Sequence, residues 1–230
     1  PNHNPLVIKG CRHCGKTTAM KEFAKKEYDH VVYLNFQDKP DYAAIFEDSQ
    51  DVNYLVMLIT ALAGPDTVFE PHKTVLLLDE IQECPKAHAA LKAFKLDGRY
   101  DVIAAGSLLG VKGYGNGSAM IPVGYETVVN MVPLDFEEFL WVNGITSPVL
   151  DLLRKSLAEE TQVPEALHLR LNELLKLYVL VGGMPGVVAD YVEHKDLNRV
   201  YQLQREILQD YEENLFVKVN KRAQAKLREC

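Results

Sequence analysis

Residues 10–17 have the residue types and the spacing of a phosphate-binding loop. They read GCRHCGKT, which satisfies the pattern G-x-x-x-x-G-K-[ST]. In this pattern the glycines let backbone N–H groups turn towards a phosphate, the lysine reaches the β- and γ-phosphates, and the hydroxyl group ligates Mg²⁺. We therefore predict that Lys16 and Thr17 bind a nucleoside triphosphate and its metal ion.

The loop lies where this chemistry requires it, between the apolar run LVI at residues 6–8 and a helical pattern that begins near Lys16. A helix N-terminus adds partial positive charge to a phosphate site. The residues that we predict to contact the nucleotide through this loop are Gly10, Cys11, Arg12, His13, Cys14, Gly15, Lys16, Thr17 and Thr18.

Two cysteines of the loop, Cys11 and Cys14, form a C-x-x-C pair that could also indicate zinc binding or redox chemistry. A zinc site needs more ligands, and the sequence holds no second such pair, so the pattern favours the phosphate loop. The neighbouring Lys16 and helix N-terminus would lower the pKa values of both thiols.

A second signature is the apolar run VLLL at residues 75–78, followed by Asp79 and Glu80. A buried strand of this kind carries its carboxylates to the sheet edge where α/β proteins bind ligands. Here Asp79 is predicted to hold the metal ion and Glu80 to act as the general base for an attacking water. The alternative is a pair of acidic residues that caps the next helix.

A third apolar run, VIAA at residues 102–105, ends in Gly106 and Ser107. If its strand lies between the loop strand and the Asp79 strand, the Ser107 hydroxyl would face the γ-phosphate or the attacking water. A plain Gly-Ser turn is the alternative.

The composition is that of a chain that can bury a large core, with 230 residues of which 47% are hydrophobic and 25% charged. We expect a cytoplasmic protein, because the sequence has no apolar run of about 18 residues and starts with the polar PNHN. A net charge of −7 argues against non-specific nucleic-acid binding by the whole surface. The missing initial Met suggests a piece of a longer protein.

Short β-rich runs alternate with helical patterns up to Pro133, which is typical of a parallel sheet with crossover helices. Strands are predicted at residues 6–9, 31–36, 74–78, 101–105 and 127–132, and helices at 16–26, 52–63 and 85–96. Only helical patterns follow, beginning with a capping box of Asp135 and Glu138. We therefore expect an ATPase core over residues 1–133 and a helical domain over residues 134–230.

Two apolar stripes of the helical region are predicted to be buried. The first contains Leu167, Leu171, Leu174, Leu175 and Tyr178. The second, with Asp196 as its cap, contains Leu197, Val200, Tyr201, Ile207, Leu208 and Tyr211.

The combined motifs resemble those of the prokaryotic AAA-type ATPases of the archaeal-ATPase-like group. In chain order they are GCRHCGKT, LLLDEIQ, AAGSLLG, PVGYETVVNMVPLDFEEFLW and LVGGMPGVV. The resemblance implies a P-loop fold with sheet order 5-1-4-3-2 and assigns Ser107 as a polar sensor. It also implies that Pro185 lies against the adenine, although the Gly-Gly-Met-Pro segment could equally be a helix-breaking turn. Longer relatives continue into a C-terminal domain of uncharacterised function.

We thus expect an Mg²⁺-dependent ATPase whose helical domain transmits the ATP or ADP state to a protein partner or to a further C-terminal domain. ATP is preferred to GTP because no NKxD guanine motif occurs. One alternative is a nucleotide-gated switch with little turnover, since no arginine lies between Arg99 and Arg154 to act as a finger. Another is a DNA-associated ATPase, suggested by the basic cluster Lys218, Lys221, Arg222, Lys226 and Arg228.

Overall fold

A computed structural model describes residues 3–107 and 124–218, with side chains up to residue 213. The chain divides into two compact units, Pro1–Val132 and Pro133–Cys230. Each unit has its own hydrophobic core.

A five-stranded parallel sheet forms the centre of the first unit. Its strands are β1 (Leu6–Gly10), β2 (His30–Asn35), β3 (Thr74–Asp79), β4 (Asp101–Ser107) and β5 (Thr127–Met131). They are arranged in the order β2-β3-β4-β1-β5, and every neighbouring pair is parallel. This arrangement confirms the predicted order 5-1-4-3-2.

Helices cover both faces of this sheet. They are α1 (Lys16–Glu27), α2 (Val52–Ala63) and α3 (Pro85–Asp97), with two short 3-10 helices at Pro40–Phe46 and Ile81–Glu83. Successive side chains of a strand point to opposite faces. In β3, Leu76 and Leu78 accordingly pack with residues of α2 and α3, whereas Leu77 packs with Met20 of α1. Helices on both faces of the sheet thereby hold β3 in place, and with it Asp79 at the carboxyl end of the strand.

The second unit is helical in the part that the structure describes, as predicted. Its helices are α4 (Phe136–Val142), α5 (Ser147–Ala158), α6 (Glu165–Val181), α7 (Pro185–His194) and α8 (Leu197–Lys218). The capping box is confirmed, because Asp135 Oδ1 accepts from Glu138 N at 2.8 Å and Glu138 Oε2 from Asp135 N at 2.9 Å. Asp196 also acts as a cap, with its Oδ1 atom 2.8 Å from Asn198 N.

The two apolar stripes, predicted to be buried, are buried only in part. Leu174 and Val200 are buried, but Leu175, Leu197, Tyr201 and Leu208 are between 43% and 62% exposed. A helix turns by about 100° per residue, so a stripe that includes adjacent positions extends beyond the face that one neighbour can cover.

None of the helices in the described ranges is both long and apolar enough to cross a membrane.

Candidate nucleotide-binding and catalytic site

The predicted phosphate loop connects β1 to α1, as expected. Its turn uses left-handed backbone at His13 (φ 63°) and Gly15 (φ 93°). The side chain of Lys16 turns back into this loop and is 94% removed from solvent. Its Nζ atom donates to the carbonyl oxygens of Cys11 at 2.7 Å and Gly10 at 3.2 Å. The loop therefore concentrates one buried positive charge inside its turn.

Close packing explains why Gly10 begins the loop. A Cβ atom at this position would lie 2.3 Å from the carbonyl oxygen of Met131 and 2.9 Å from Cys14 Sγ. The end of β5 and a buried thiol group thus occupy the space that any side chain would need.

Cys14 contradicts the expected lowering of thiol pKa values. Its side chain is almost fully buried, with Sγ 3.7 Å from the carbonyl oxygen of Met131. Burial raises the pKa of Cys14 above its ordinary value, and this effect exceeds the opposing attraction of the Lys16 charge. The sequence showed that Lys16 is close to Cys14, but it could not show that the thiol is buried.

The loop and the acidic end of β3 meet at Thr17 and Asp79. Asp79 is 1% exposed, and its Oδ2 atom accepts from Thr17 Oγ1 at 2.7 Å. Its Oδ1 atom accepts from the backbone N–H of Glu80 at 3.0 Å. The two residues predicted to hold the metal ion are therefore in direct contact, with Glu80 next to them.

Tyr33 is a member of this site that the sequence did not indicate. It lies on β2, beside β3, and its hydroxyl group donates to Asp79 Oδ2 at 2.8 Å. Asn35 Nδ2 donates to the same hydroxyl oxygen at 3.2 Å, and Lys21 Nζ lies 3.7 Å from the ring centroid. Burial, followed by the contact with Asp79, raises the pKa of Tyr33, so the phenol stays a protonated donor that orients the carboxylate.

Ser107 ends β4, which lies between β1 and β3 as predicted. In the register of β1 and β4, Ser107 lies opposite Gly10, the first residue of the phosphate loop. The Ser107 Oγ atom is buried and has no hydrogen-bond partner among the residues that the structure describes. Because a buried hydroxyl group is unfavourable without a partner, this orphaned atom fits a polar ligand such as a phosphate oxygen.

The donor set around these residues also fits the expected ligands. An ammonium group and loop N–H groups suit a polyphosphate, and hydroxyl and carboxylate oxygens suit Mg²⁺.

The remaining predicted nucleotide contacts are less closely tied to this cluster. His13 and Thr18 are exposed, and the guanidinium of Arg12 donates to Gln37 Oε1 at 3.2 Å. Cys11 is partly buried and contributes its carbonyl oxygen to Lys16. Their contacts with a nucleotide stay predictions.

Pro185 belongs to the second unit, where it is the first residue of α7. The preceding turn has a packing role of its own, since Gly182 has a φ of 73° and Gly183 accepts a hydrogen bond from Leu134 N at 2.7 Å. A Cβ atom at Gly183 would lie 2.1 Å from the carbonyl oxygen of Leu134. The contact of Pro185 with adenine stays a prediction.

Comparisons with known proteins agree with this fold. A family model described as an AAA domain matches residues 2–140. No curated protein matches the chain in sequence.

Solved structures match the chain at low identity. AMPPCP-bound DnaA from Aquifex aeolicus is 15% identical, with a TM-score of 0.47 over 90% of this chain and 61% of that chain. The Aeropyrum pernix ORC2 protein is 16% identical, with a TM-score of 0.40 over 64% and 46%. C. elegans PCH-2 is 13% identical, with a TM-score of 0.43 over 90% and 60%. The chain spans less than two thirds of the length of each of these proteins. From its match with the family model, the chain belongs to the AAA-domain family of P-loop ATPases.

Proposed function

We propose that this chain binds ATP with Mg²⁺ at the loop of residues 10–17 and hydrolyses the nucleotide. The observation that carries this proposal is the hydrogen bond of 2.7 Å between Thr17 and Asp79, with Glu80 as the next residue. This contact places a hydroxyl group and a carboxylate, both of which can bind Mg²⁺, beside a candidate general base. The lack of an NKxD motif supports ATP over GTP.

Each site residue has a role that follows from its chemistry. Lys16 would contact the β- and γ-phosphates, while Thr17 and Asp79 would hold Mg²⁺, which supplies charge neutralisation of the phosphates when bound. Glu80 would take the proton of the attacking water as the γ-phosphate separates from ADP. Ser107 would donate its hydroxyl hydrogen to a γ-phosphate oxygen or to the water.

The second unit is the proposed transmitter of the nucleotide state. In this proposal residues 134–230 form a helical domain, Pro185 contacts the adenine, and a change in the bound nucleotide reaches a protein partner or a further C-terminal domain. Such coupling requires the nucleotide to bind one conformation more tightly than another. We also propose the cytoplasm as the site of action.

A switch with little turnover is the second candidate. The ion pairs of two arginines that could have served as a finger, Arg154 and Arg170, favour it. In the second unit, Arg154 pairs with Glu137 and Asp151, and Arg170 pairs with Glu173, all on the exposed surface. These are ordinary surface ion pairs, which contribute little to stability. Both side chains thus already have acidic partners within their own unit, and a phosphoryl-transfer site that lacks an arginine finger turns over slowly.

The DNA-associated alternative has no structural support, because the basic side chains of residues 218–228 lie outside the described residues. Strongly salt-dependent DNA binding would be its test.

Steady-state ATP hydrolysis by wild type and Glu80→Gln distinguishes enzyme from switch. The amide keeps the shape of the side chain and removes the base, so we expect hydrolysis to fall by about 10²-fold with ATP binding retained. Glu22→Gln, on the exposed surface of α1, is the matched control and should keep the wild-type rate. Wild-type hydrolysis no faster than background would support the switch.

A further inference from the structure

Gln82 connects two residues that the proposed mechanism uses. It lies in the short 3-10 helix Ile81–Glu83, directly after β3, and its side chain is partly buried. Its Nε2 atom donates to Glu80 Oε2, and its Oε1 atom accepts from the backbone N–H of Ser107 at 3.3 Å. A single amide therefore bridges the ends of β3 and β4. Only a side chain with both a donor and an acceptor can make this bridge.

Glu80 needs such support because its backbone alone does not fix the carboxylate. Its φ of 52° is left-handed, which is uncommon for a residue other than glycine and is frequent at functional sites. A glutamate side chain has three rotatable torsions beyond this backbone, so its carboxylate can take many positions. The hydrogen bond from Gln82 selects one of them.

Gly106 provides the space for the bridge. A Cβ atom on Gly106 would lie 2.8 Å from Gln82 Oε1 and 3.4 Å from Ile81 Cγ2. Its backbone does not have the positive φ that favours glycine. Close approach of the Gln82 amide, rather than backbone conformation, is therefore what a side chain at Gly106 would disturb.

We propose that Gln82 is a positioning residue, which holds the Glu80 carboxylate in a fixed relation to Ser107 for attack of water on ATP. This inference rests on the proposed ATP hydrolysis. Gln82 touches neither nucleotide nor water in this mechanism, and it acts through Glu80.

Substitution of Gln82 should lower turnover without weakening substrate binding. In Gln82→Ala the carboxylate loses a charge-assisted hydrogen bond, so we expect kcat for ATP to fall about tenfold with KM unchanged. Gly106→Ala should produce the same loss, because its methyl group displaces the amide while Gln82 itself remains. Gln50→Ala, an exposed glutamine of the same unit, is the matched control.

Double variants separate positioning from general damage to the fold. If both changes act on one contact, Gln82→Ala with Gly106→Ala should lose no more than either change alone. Likewise, Gln82→Ala should add nothing to Glu80→Gln. Thermal melting of each variant identifies any that fail to fold, and Gly106→Ala carries the test should Gln82→Ala be one of them.

The possible outcomes distinguish this inference from the proposed function. Wild-type hydrolysis no faster than background would overturn both. Hydrolysis above background that is equal in wild type and Glu80→Gln would overturn the roles of Glu80 and Gln82 but not ATP hydrolysis. Wild-type hydrolysis that depends on Glu80 but shows an unchanged kcat in folded Gln82→Ala and Gly106→Ala would overturn only the role of Gln82. A parallel rise in KM, or additive losses in the double variants, would overturn it as well.

Discussion

Thr17 Oγ1 and Asp79 Oδ2 lie 2.7 Å apart although 62 residues separate them along the chain. The contact exists because the loop after β1 and the end of β3 meet at one sheet edge, with β4 between the two strands. In the mechanism proposed above, this pair is where Mg²⁺ would be held.

The Thr17 hydroxyl group should determine how strongly Mg²⁺ promotes ATP binding. Thr17→Val keeps the shape and removes the oxygen, so ATP affinity in Mg²⁺ should fall about tenfold, or ~1.4 kcal/mol. With EDTA the affinities of wild type and variant should agree. Thr17→Ser, which keeps the hydroxyl group, is the control, and calorimetric titration is the measurement. A Thr17→Val variant with the full Mg²⁺ effect would remove Thr17 from the metal site.

The buried loop thiol should react slowly and in a pH-dependent way. Because burial raises the pKa of Cys14 above its ordinary value of 9.0, little thiolate forms at neutral pH. Alkylation of Cys14 should therefore keep rising to higher pH than that of an ordinary thiol, which is half ionised at pH 9.0.

Iodoacetamide labelling read by peptide mass spectrometry measures this behaviour, in wild type and in Cys11→Ser. Free cysteine provides the reference rate. Mg-ATP should protect the loop thiols further, since the nucleotide would cover them. A labelling rate for Cys14 that levels off at the same pH as that of free cysteine, or one that Mg-ATP leaves unchanged, would contradict this account of the loop.

Gly183 should be essential for the stability of the second unit, and nearby Gly186 should not. A methyl group on Gly183 would meet backbone atoms of Leu134, which cannot move like a side-chain end, so Gly183→Ala should cost about 1–3 kcal/mol or more. Gly186→Ala is the matched control, because nothing lies within 4 Å of its added Cβ atom. Urea denaturation followed by circular dichroism compares the two. Equal midpoints would show that the turn tolerates a side chain.

Much of the fold could be predicted because its signals are local. The apolar runs located all five strands to within two residues at each end. The signal is clearest for β3, where all six residues are buried, since a strand buried on both faces needs continuous apolar residues. Asp135 and Glu138 marked the start of α4 through a capping box within one turn. The order of the strands came from family resemblance, because apolar runs do not say which strands are neighbours.

The parts that could not be predicted depend on contacts across the fold. Tyr33 and Gln82 reach their partners only once β2, β3 and β4 are side by side, and their residue types are common in strands and turns. The burial of Cys14 likewise depends on Met131, far along the chain. On α8, Val200 is buried while Leu197 and Leu208 are exposed, because packing rather than hydrophobicity decides which part of a wide stripe is covered.

The central claim is that Lys16 binds the phosphates of ATP, and calorimetric titration of Mg-ATP into wild type and Lys16→Ala tests it most directly. Loss of a buried charged contact of about 1.5–3 kcal/mol should weaken binding at least about tenfold. Lys25→Ala, an exposed lysine of the same helix α1, is the control and should bind as wild type does. Equal ATP affinity for wild type and folded Lys16→Ala would contradict the assignment of residues 10–17 as the nucleotide site.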